Sequence, residues 1–85
     1  MDISKEMEKS FPKIKKMFSE EKLLEFMQTS PVCLWKYHFE LGTMIGLKLL
    51  RPKSKLYRSF IKSGFADRDE MVAKIIIKYH QSIQR

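Results

Sequence analysis

The sequence predicts an all-α fold, and three observations carry this prediction. Apolar residues recur at intervals of three or four through most of the 85-residue chain, the spacing that places them on one face of a helix. Only three glycines and three prolines interrupt the chain, which leaves few turns. Hydrophobic residues make up 44% of the chain despite 32% charge, a composition typical of folded proteins. We therefore predict a single helical domain over residues 1–85, a compact bundle of four to five helices.

The first helices are predicted from an apolar stripe and a proline. Residues of the stripe, spaced by three or four, are Ile3, Met7, Phe11, Ile14 and Phe18. Pro12 is tolerated in the first turn of a helix but breaks a helix interior. We therefore predict a short helix that ends near Ser10 and a second one that begins at Pro12.

Two serines are predicted to cap the next helices. Ser19 precedes the segment EEKLLEFMQ, whose acidic first turn suits the positive end of a helix dipole. Ser30 as N-cap, with Pro31 at the first helical position, is a second start signal, and Pro52 is a stop signal. The interval between these start and stop signals predicts a long central helix at about residues 31–50, around which the bundle is built.

The last two helices are predicted from capping residues. Ser54 can cap a helix that ends before Gly64, and Gly64 occupies the position of a left-handed C-terminal cap. Asp67, with Glu70 three residues later, resembles a capping box. The final helix is therefore predicted over roughly residues 68–84.

A histidine and two glycines stand out in the predicted central helix. At about 100° per residue, His38 falls in the middle of the core face, which also contains Leu34, Leu41, Ile45 and Leu49. Trp35 and Phe39 lie on the adjoining flank with Gly42 and Gly46, so this helix is predicted to be buried on most sides. We interpret His38 as a hydrogen-bonded core residue, with a catalytic or pH-sensing role as the alternative, and the glycines as sites of close packing.

No signature of catalysis, metal binding or phosphate binding occurs in the sequence. Cys33 and His38 are separated by roughly 140° around a helix, so they do not form a nucleophile and base pair. Acidic residues at 67, 69 and 70 are interpreted as stabilising a helix N-terminus rather than holding a cation. We therefore predict a protein that is not an enzyme and has no cofactor.

The cellular compartment is predicted from cysteine content and hydropathy. A single cysteine, Cys33, cannot form an intramolecular disulfide, and the first residues, MDISKEMEKS, lack the apolar core of a signal peptide. No run of about 18–20 apolar residues offers a membrane span. These features favour the cytoplasm.

The order and spacing of several residues resemble a known family. The matching features are YHFELG followed by Ile45, then Ser54, Leu56, Phe60 through Gly64, and the pairs or triplets DEM, II and YH. This arrangement, over roughly residues 3–84, is similar to a family of small bacterial all-helical domains of unknown function. That family's pattern has an Arg-Asn-Asn run at the place where this chain has Gly46, Leu47 and Lys48. It also has a His-Pro pair at the place where this chain has Asp67 and Arg68. The resemblance implies a small bacterial helical domain and supplies no substrate, cofactor or partner.

Positive charge is concentrated in the middle of the chain. Residues 1–30 hold six basic and six acidic side chains, residues 31–65 hold seven and one, and residues 66–85 hold four and three. The net charges are zero, +6 and +1, which sum to the total of +7. No acid occurs between Leu41 and Ala66, and the cationic residues of that interval are called the basic face: Lys48, Arg51, Lys53, Lys55, Arg58 and Lys62.

The basic face predicts an anionic partner, with a solubilising surface as the plain alternative. Lys55, Arg58 and Lys62 fall within about 60° of one another on a helix, opposite its apolar side. They offer phosphate-type contacts without side chains suited to base edges, so sequence-specific DNA recognition is not expected. We predict a binding or regulatory module that engages an acidic protein surface, with nonspecific binding of a nucleic-acid backbone as the alternative.

Two apolar residues are predicted to lie outside the core. Ile77 points away from the core face of the last helix, and Leu47 lies on the solvent side of the central helix. We interpret the pair as an apolar contact or the seam of a homodimer, although single exposed apolar residues are ordinary. His80 falls on the polar side of the last helix and is predicted to be solvated.

Overall fold

The structure, a computed structural model, describes residues 3–84 and consists of five α-helices and one 3₁₀ helix. In chain order these are α1 (Ser4–Lys15), α2 (Glu20–Gln28), the 3₁₀ helix (Pro31–Tyr37), α3 (Glu40–Lys48), α4 (Lys55–Lys62) and α5 (Arg68–Ile83). No strand occurs within residues 3–84, which confirms the all-α class. None of these helices has the length and hydropathy that crossing a membrane requires.

The predicted helix caps at Ser19, Ser54 and Asp67 are confirmed. The capping bonds join Lys22 N to Ser19 Oγ at 3.2 Å, Tyr57 N to Ser54 Oγ at 3.1 Å and Asp69 N to Asp67 Oδ1 at 2.9 Å. Gly64 follows α4 with a φ of +96°, in the left-handed region that favours glycine. These local signals place the starts of three helices and the turn that separates α4 from α5.

Helix α1 runs through Pro12, where the sequence predicted a break between two helices. Pro12 lies inside α1 and is exposed to solvent. A proline costs roughly 3 kcal/mol in a helix interior, but a continuous helix keeps Met7 and Ile14 on one buried face. Burial contributes about 1.5–3 kcal/mol for each such side chain. Packing of the continuous helix therefore outweighs the hydrogen bond lost at the proline.

The long central helix predicted at residues 31–50 is divided in the structure. Its first part is the 3₁₀ helix, where the N–H of His38 donates to the Trp35 carbonyl, three residues back, at 3.1 Å. Leu34 and Tyr37 are both buried, and a helix with three residues per turn stacks residues i and i+3 on one face. Packing of this pair therefore favours the tighter helix, and α-helical bonding resumes only in α3.

The core is centred on Phe26, whose side chain is fully buried. Four aromatic rings lie around it with centroid distances of 4.9 to 5.9 Å: Phe18, Tyr37, Tyr79 and His80. Burial raises the pKa of the Tyr79 phenol above its ordinary value, because apolar surroundings disfavour the charged phenolate. This aromatic cluster joins α2, the 3₁₀ helix and α5.

His80 is buried, so the prediction of a solvated side chain is wrong. Its residue is 1% exposed, and its Nε2 atom lies 2.8 Å from the carbonyl oxygen of Thr29. The Thr29 hydroxyl in turn lies 3.1 Å from the Tyr37 hydroxyl. Because Thr29 connects α2 to the 3₁₀ helix, these contacts hold the start of the 3₁₀ helix against α5.

The two glycines of α3 have opposite surroundings. A Cβ atom at Gly42 would lie 2.9 Å from Cγ1 of Val72 on α5, closer than a van der Waals contact allows, which confirms the predicted close packing. A Cβ atom at Gly46 would meet no heavy atom within 4 Å, so the prediction of close packing there is wrong. Gly46 instead lines an open groove.

Substituting leucine at each of these glycines is expected to shift stability in opposite directions. Gly42→Leu overpacks the contact with Val72, so we expect a loss of about 1–3 kcal/mol in the free energy of unfolding. Gly46→Leu enters open space and replaces a poor helix former, so we expect a gain of up to about 1 kcal/mol. Urea denaturation of the two variants in dilute solution measures both changes. A Gly42→Leu variant as stable as Gly46→Leu would contradict the close approach of α3 to α5.

Candidate interaction surfaces

All six side chains of the basic face are exposed, and they come from three consecutive parts of the chain. Lys48 ends α3, Arg51 and Lys53 lie in the connection to α4, and the other three project from α4. Ser54 shapes this connection, since its hydroxyl caps α4 and also donates to the Leu49 carbonyl at 2.8 Å. The short connection thus presents cations from two helices on neighbouring parts of the surface.

Helix α1 adds two lysines to this surface that were not predicted. Lys9 and Lys13 line a groove of about 250 Å³ together with Lys48 and Lys55. The net charge of residues 1–30 is zero, so a count along the chain gives no sign that α1 contributes cations here. The signal is the contact between α1 and α4, which only the fold creates.

An acidic side chain also lies within this lysine-lined groove. Glu6 Oε1 is 3.6 Å from Lys55 Nζ and 3.4 Å from Lys9 Nζ, and the Glu6 side chain is largely buried. The interval from Leu41 to Ala66 contains no acid in sequence, but α1 supplies one in space. The surface is therefore cationic around a single fixed carboxylate rather than uniformly cationic.

Arg51 has a structural partner. Its Nε atom donates a hydrogen bond to the Leu47 carbonyl at 3.1 Å, at the C-terminal end of α3. A cation at that end satisfies a carbonyl left without a helical partner and complements the helix dipole. Arg51 is thus held against the end of α3.

A second surface consists of large apolar side chains that the core leaves uncovered. We call these residues the apolar face, with the exposed fractions Val32 80%, Trp35 72%, Phe39 79%, Leu47 68% and Ile77 43%. Leu47 and Ile77 are exposed as predicted, whereas Trp35 and Phe39 were predicted to lie on the flank of a buried helix. The predicted positions of Trp35 and Phe39 are therefore wrong.

Helical geometry explains the exposure of the aromatic residues. In the 3₁₀ helix, residues three apart share a face, so burial of Leu34 and Tyr37 turns Val32 and Trp35 together toward solvent. The same two pairs are each about 60° apart at the α-helical angle, so the projection separates the two faces but does not show which neighbours cover Trp35.

Two grooves of the apolar face meet at His38. One groove, of about 270 Å³, is lined by Val32, Trp35 and Ile77, and the other, of about 480 Å³, is lined by Phe39, Leu47 and residues of α5; His38 lines both. Only part of the His38 side chain is buried, so its predicted central place in the core is wrong.

His38 instead faces an exposed carboxylate. Its Nε2 atom lies 3.6 Å from Asp69 Oδ1, and the side chains are 34% and 83% exposed. This distance is too long for a hydrogen bond, and exposed pairs of this kind contribute little to stability. His38 therefore belongs to the rim between the two grooves.

Within residues 3–84, no group of three or more His, Cys, Asp or Glu side chains is arranged to hold a metal ion. Cys33 is exposed and free, on the first turns of the 3₁₀ helix. Cations around a carboxylate and an uncovered apolar face are features of binding surfaces.

A comparison with known proteins finds a family relationship. A model of a domain of unknown function, DUF6794, matches residues 3–83, which supports the resemblance to a family of uncharacterised small domains. No curated protein and no solved structure matches the chain.

Proposed function

The chain belongs to the DUF6794 family of domains of unknown function, and we propose from its own surfaces that it is a non-enzymatic binding module for an acidic protein. The basic face, together with Lys9 and Lys13, is the proposed contact surface. Exposed cations contribute little to the free energy of folding. The cations of this surface therefore have their largest energetic effect on association with an anionic partner. The same cations steer an acidic partner and accelerate its encounter.

Glu6 is the observation that carries the choice of a protein partner. It pairs with Lys9 and Lys55 inside the groove, so any ligand seated there meets a carboxylate among the lysines. A nucleic-acid backbone presents only negative charge, so it is attracted less strongly beside Glu6 than beside lysines without a carboxylate neighbour. A folded protein or peptide can place a basic side chain opposite Glu6 and acidic side chains around it.

A nucleic-acid backbone is the second candidate ligand. Lysines from two helices flank the groove, an arrangement that can follow a strand of phosphates. Binders of single strands combine such lysines with aromatic side chains on which bases stack. The described residues that line this groove include no aromatic ring, and this favours the protein partner.

The chemistry of Cys33 agrees with a reducing compartment. Its thiol is free and exposed, a state that the reducing conditions of the cytoplasm maintain. We therefore include a cytoplasmic location in the proposal. We also propose a bacterial origin, which the family resemblance implies.

Charge reversal on the basic face is expected to abolish binding without unfolding the protein. The test variant is Lys48→Glu, Arg58→Glu, Lys62→Glu; Lys55 is left unchanged because a carboxylate there would face Glu6. Each change costs at most about 1 kcal/mol, since two of the positions end helices and all three are exposed. Fluorescence anisotropy measures binding of two labelled probes, a Glu-rich peptide with one lysine and a DNA duplex of random sequence.

The matched control reverses three exposed lysines that belong neither to the basic face nor to the groove, Lys15, Lys22 and Lys36, with the same change in net charge. The proposal expects tighter binding of the peptide than of the duplex, lost in the test variant and largely kept in the control. Glu6→Gln should reduce the difference between the affinity for the peptide and the affinity for the duplex. An equal loss of binding in the test and control variants would show that binding depends on net charge and not on the basic face. Preferred binding of duplex, with a salt slope of about −0.9 per phosphate contacted, would favour the second candidate.

A further inference from the structure

The apolar face is large enough to form most of an interface. An aromatic side chain buries about 150–250 Å² when fully covered, and Trp35 and Phe39 are each more than 70% exposed. With Val32, Leu47 and Ile77, the uncovered apolar area is on the order of 500 Å², at the upper end of the about 300–600 Å² found for the largest patch on typical monomers. A standard interface buries about 800 Å² on each partner, which this face and its polar rim can supply.

The same face contains both a protruding ring and a groove. Phe39 projects into solvent at the edge of the groove of about 480 Å³, whose floor includes Gly46. Open space at Gly46 leaves room for a side chain that comes from outside. A symmetric contact between two copies requires this combination, because each copy must supply what the other receives.

The charges in this groove suit a second copy of the chain. Arg68 and Asp69 both line it, so a twofold contact can bring Arg68 of each copy to Asp69 of the other. The basic face offers no such pairing, since two copies meeting there would oppose cations with cations. For a chain with a net charge of +7, self-association therefore meets less repulsion at the apolar face than at the basic face.

We propose that the apolar face is the seam of a symmetric homodimer in which Phe39 and Trp35 of each copy cover the groove beside Gly46 of the other. Burial of both rings and of Leu47 supplies the stabilising free energy, and the Arg68 and Asp69 pairs set the register. The proposal is independent of the proposed acidic partner, because the basic face takes no part in the seam.

The oligomeric state in solution tests this proposal directly. Sedimentation equilibrium over a concentration series is expected to show the mass rising from that of one chain, 10.2 kDa, to that of two and no further. Trp35 is the only tryptophan, so its emission should shift to shorter wavelength over the same concentrations as the ring leaves water. A single chain at all concentrations, with unchanged emission, would overturn the proposal.

Three variants identify the seam. Gly46→Leu fills the groove and Phe39→Ser removes the protruding ring, and each is expected to raise the dissociation constant of the dimer at least about tenfold. Leu24→Ser is the matched control, since Leu24 is 57% exposed but lies on α2, outside the apolar face. It should leave the dimer unchanged. Urea denaturation of Gly46→Leu, for which a gain in stability is expected, distinguishes loss of the dimer from unfolding. A dimer that withstands both seam variants, or a mass that grows beyond two chains, would contradict the seam described here.

Discussion

Phe26→Ala is expected to remove most of the stability of this fold. Phe26 is fully buried and lies within contact distance of four aromatic rings from three other segments of the chain. Replacing a buried phenylalanine by alanine costs about 3–5 kcal/mol, out of a total of about 5–15 kcal/mol for a typical domain. In a domain of this size each kcal/mol lowers the Tm by roughly 4–8 °C, so we expect a fall of about 12 °C or more.

The matched control for this change is Phe39→Ala, which removes the same side chain from an exposed position. Thermal unfolding followed by circular dichroism, in dilute solution, should give a Tm close to that of the wild-type protein for Phe39→Ala. Equal losses at both positions would mean that the aromatic cluster does not organise the core. A nearly unchanged Tm for Phe26→Ala would lead to the same conclusion.

Local signals in the sequence predicted three helix starts and one turn correctly, whereas the side chain of Ser30 makes no capping hydrogen bond. Ser19, Ser54 and Asp67 each accept a hydrogen bond from a backbone N–H two or three residues later, so the information needed to place them is contained in a few neighbouring residues. The turn at Gly64 is also a local signal, because glycine adopts a positive φ without a steric penalty. Predictions of this kind succeed because they do not depend on how the helices pack.

Features that depend on packing were predicted less well. The course of α1 through Pro12 depends on burial of residues on both sides of the proline, which the local rule for proline does not include. The 3₁₀ helix depends on burial of Leu34 and Tyr37 against other segments. The resulting turn of three residues exposes Trp35 and thereby creates part of the apolar face.

The candidate surfaces show the same division. Exposure of the basic face followed from the amphipathic pattern of α4, where apolar residues occupy the opposite side. Lys9, Lys13 and Glu6 could not be assigned to that surface from charge counts, because they join it through the contact between α1 and α4. The distinction between protein and nucleic acid as partner rests on Glu6, and thus on tertiary structure.

The two histidines exchange their predicted places. His80, predicted to be solvated, is buried, and its Nε2 atom bonds to the Thr29 carbonyl 51 residues away in the chain. His38, predicted to lie in the core, is half-buried beside Asp69. Periodicity placed His80 on the polar side of α5 and could not show that a backbone carbonyl from another segment lies there.

We expect His80→Ala to destabilise the protein by about 2–4 kcal/mol, because it leaves a cavity beside Phe26 and a partly buried carbonyl without its partner. His38→Ala should cost less than about 1 kcal/mol, since it removes a partly exposed side chain and a weak surface pair. His80→Leu separates the two causes at the buried site: it restores apolar volume but leaves the Thr29 carbonyl unpaired, so about 1–3 kcal/mol of the loss should remain. Urea denaturation of the three variants measures these differences. If His38→Ala costs more than His80→Ala, the 3₁₀ helix is not held to α5 through Thr29.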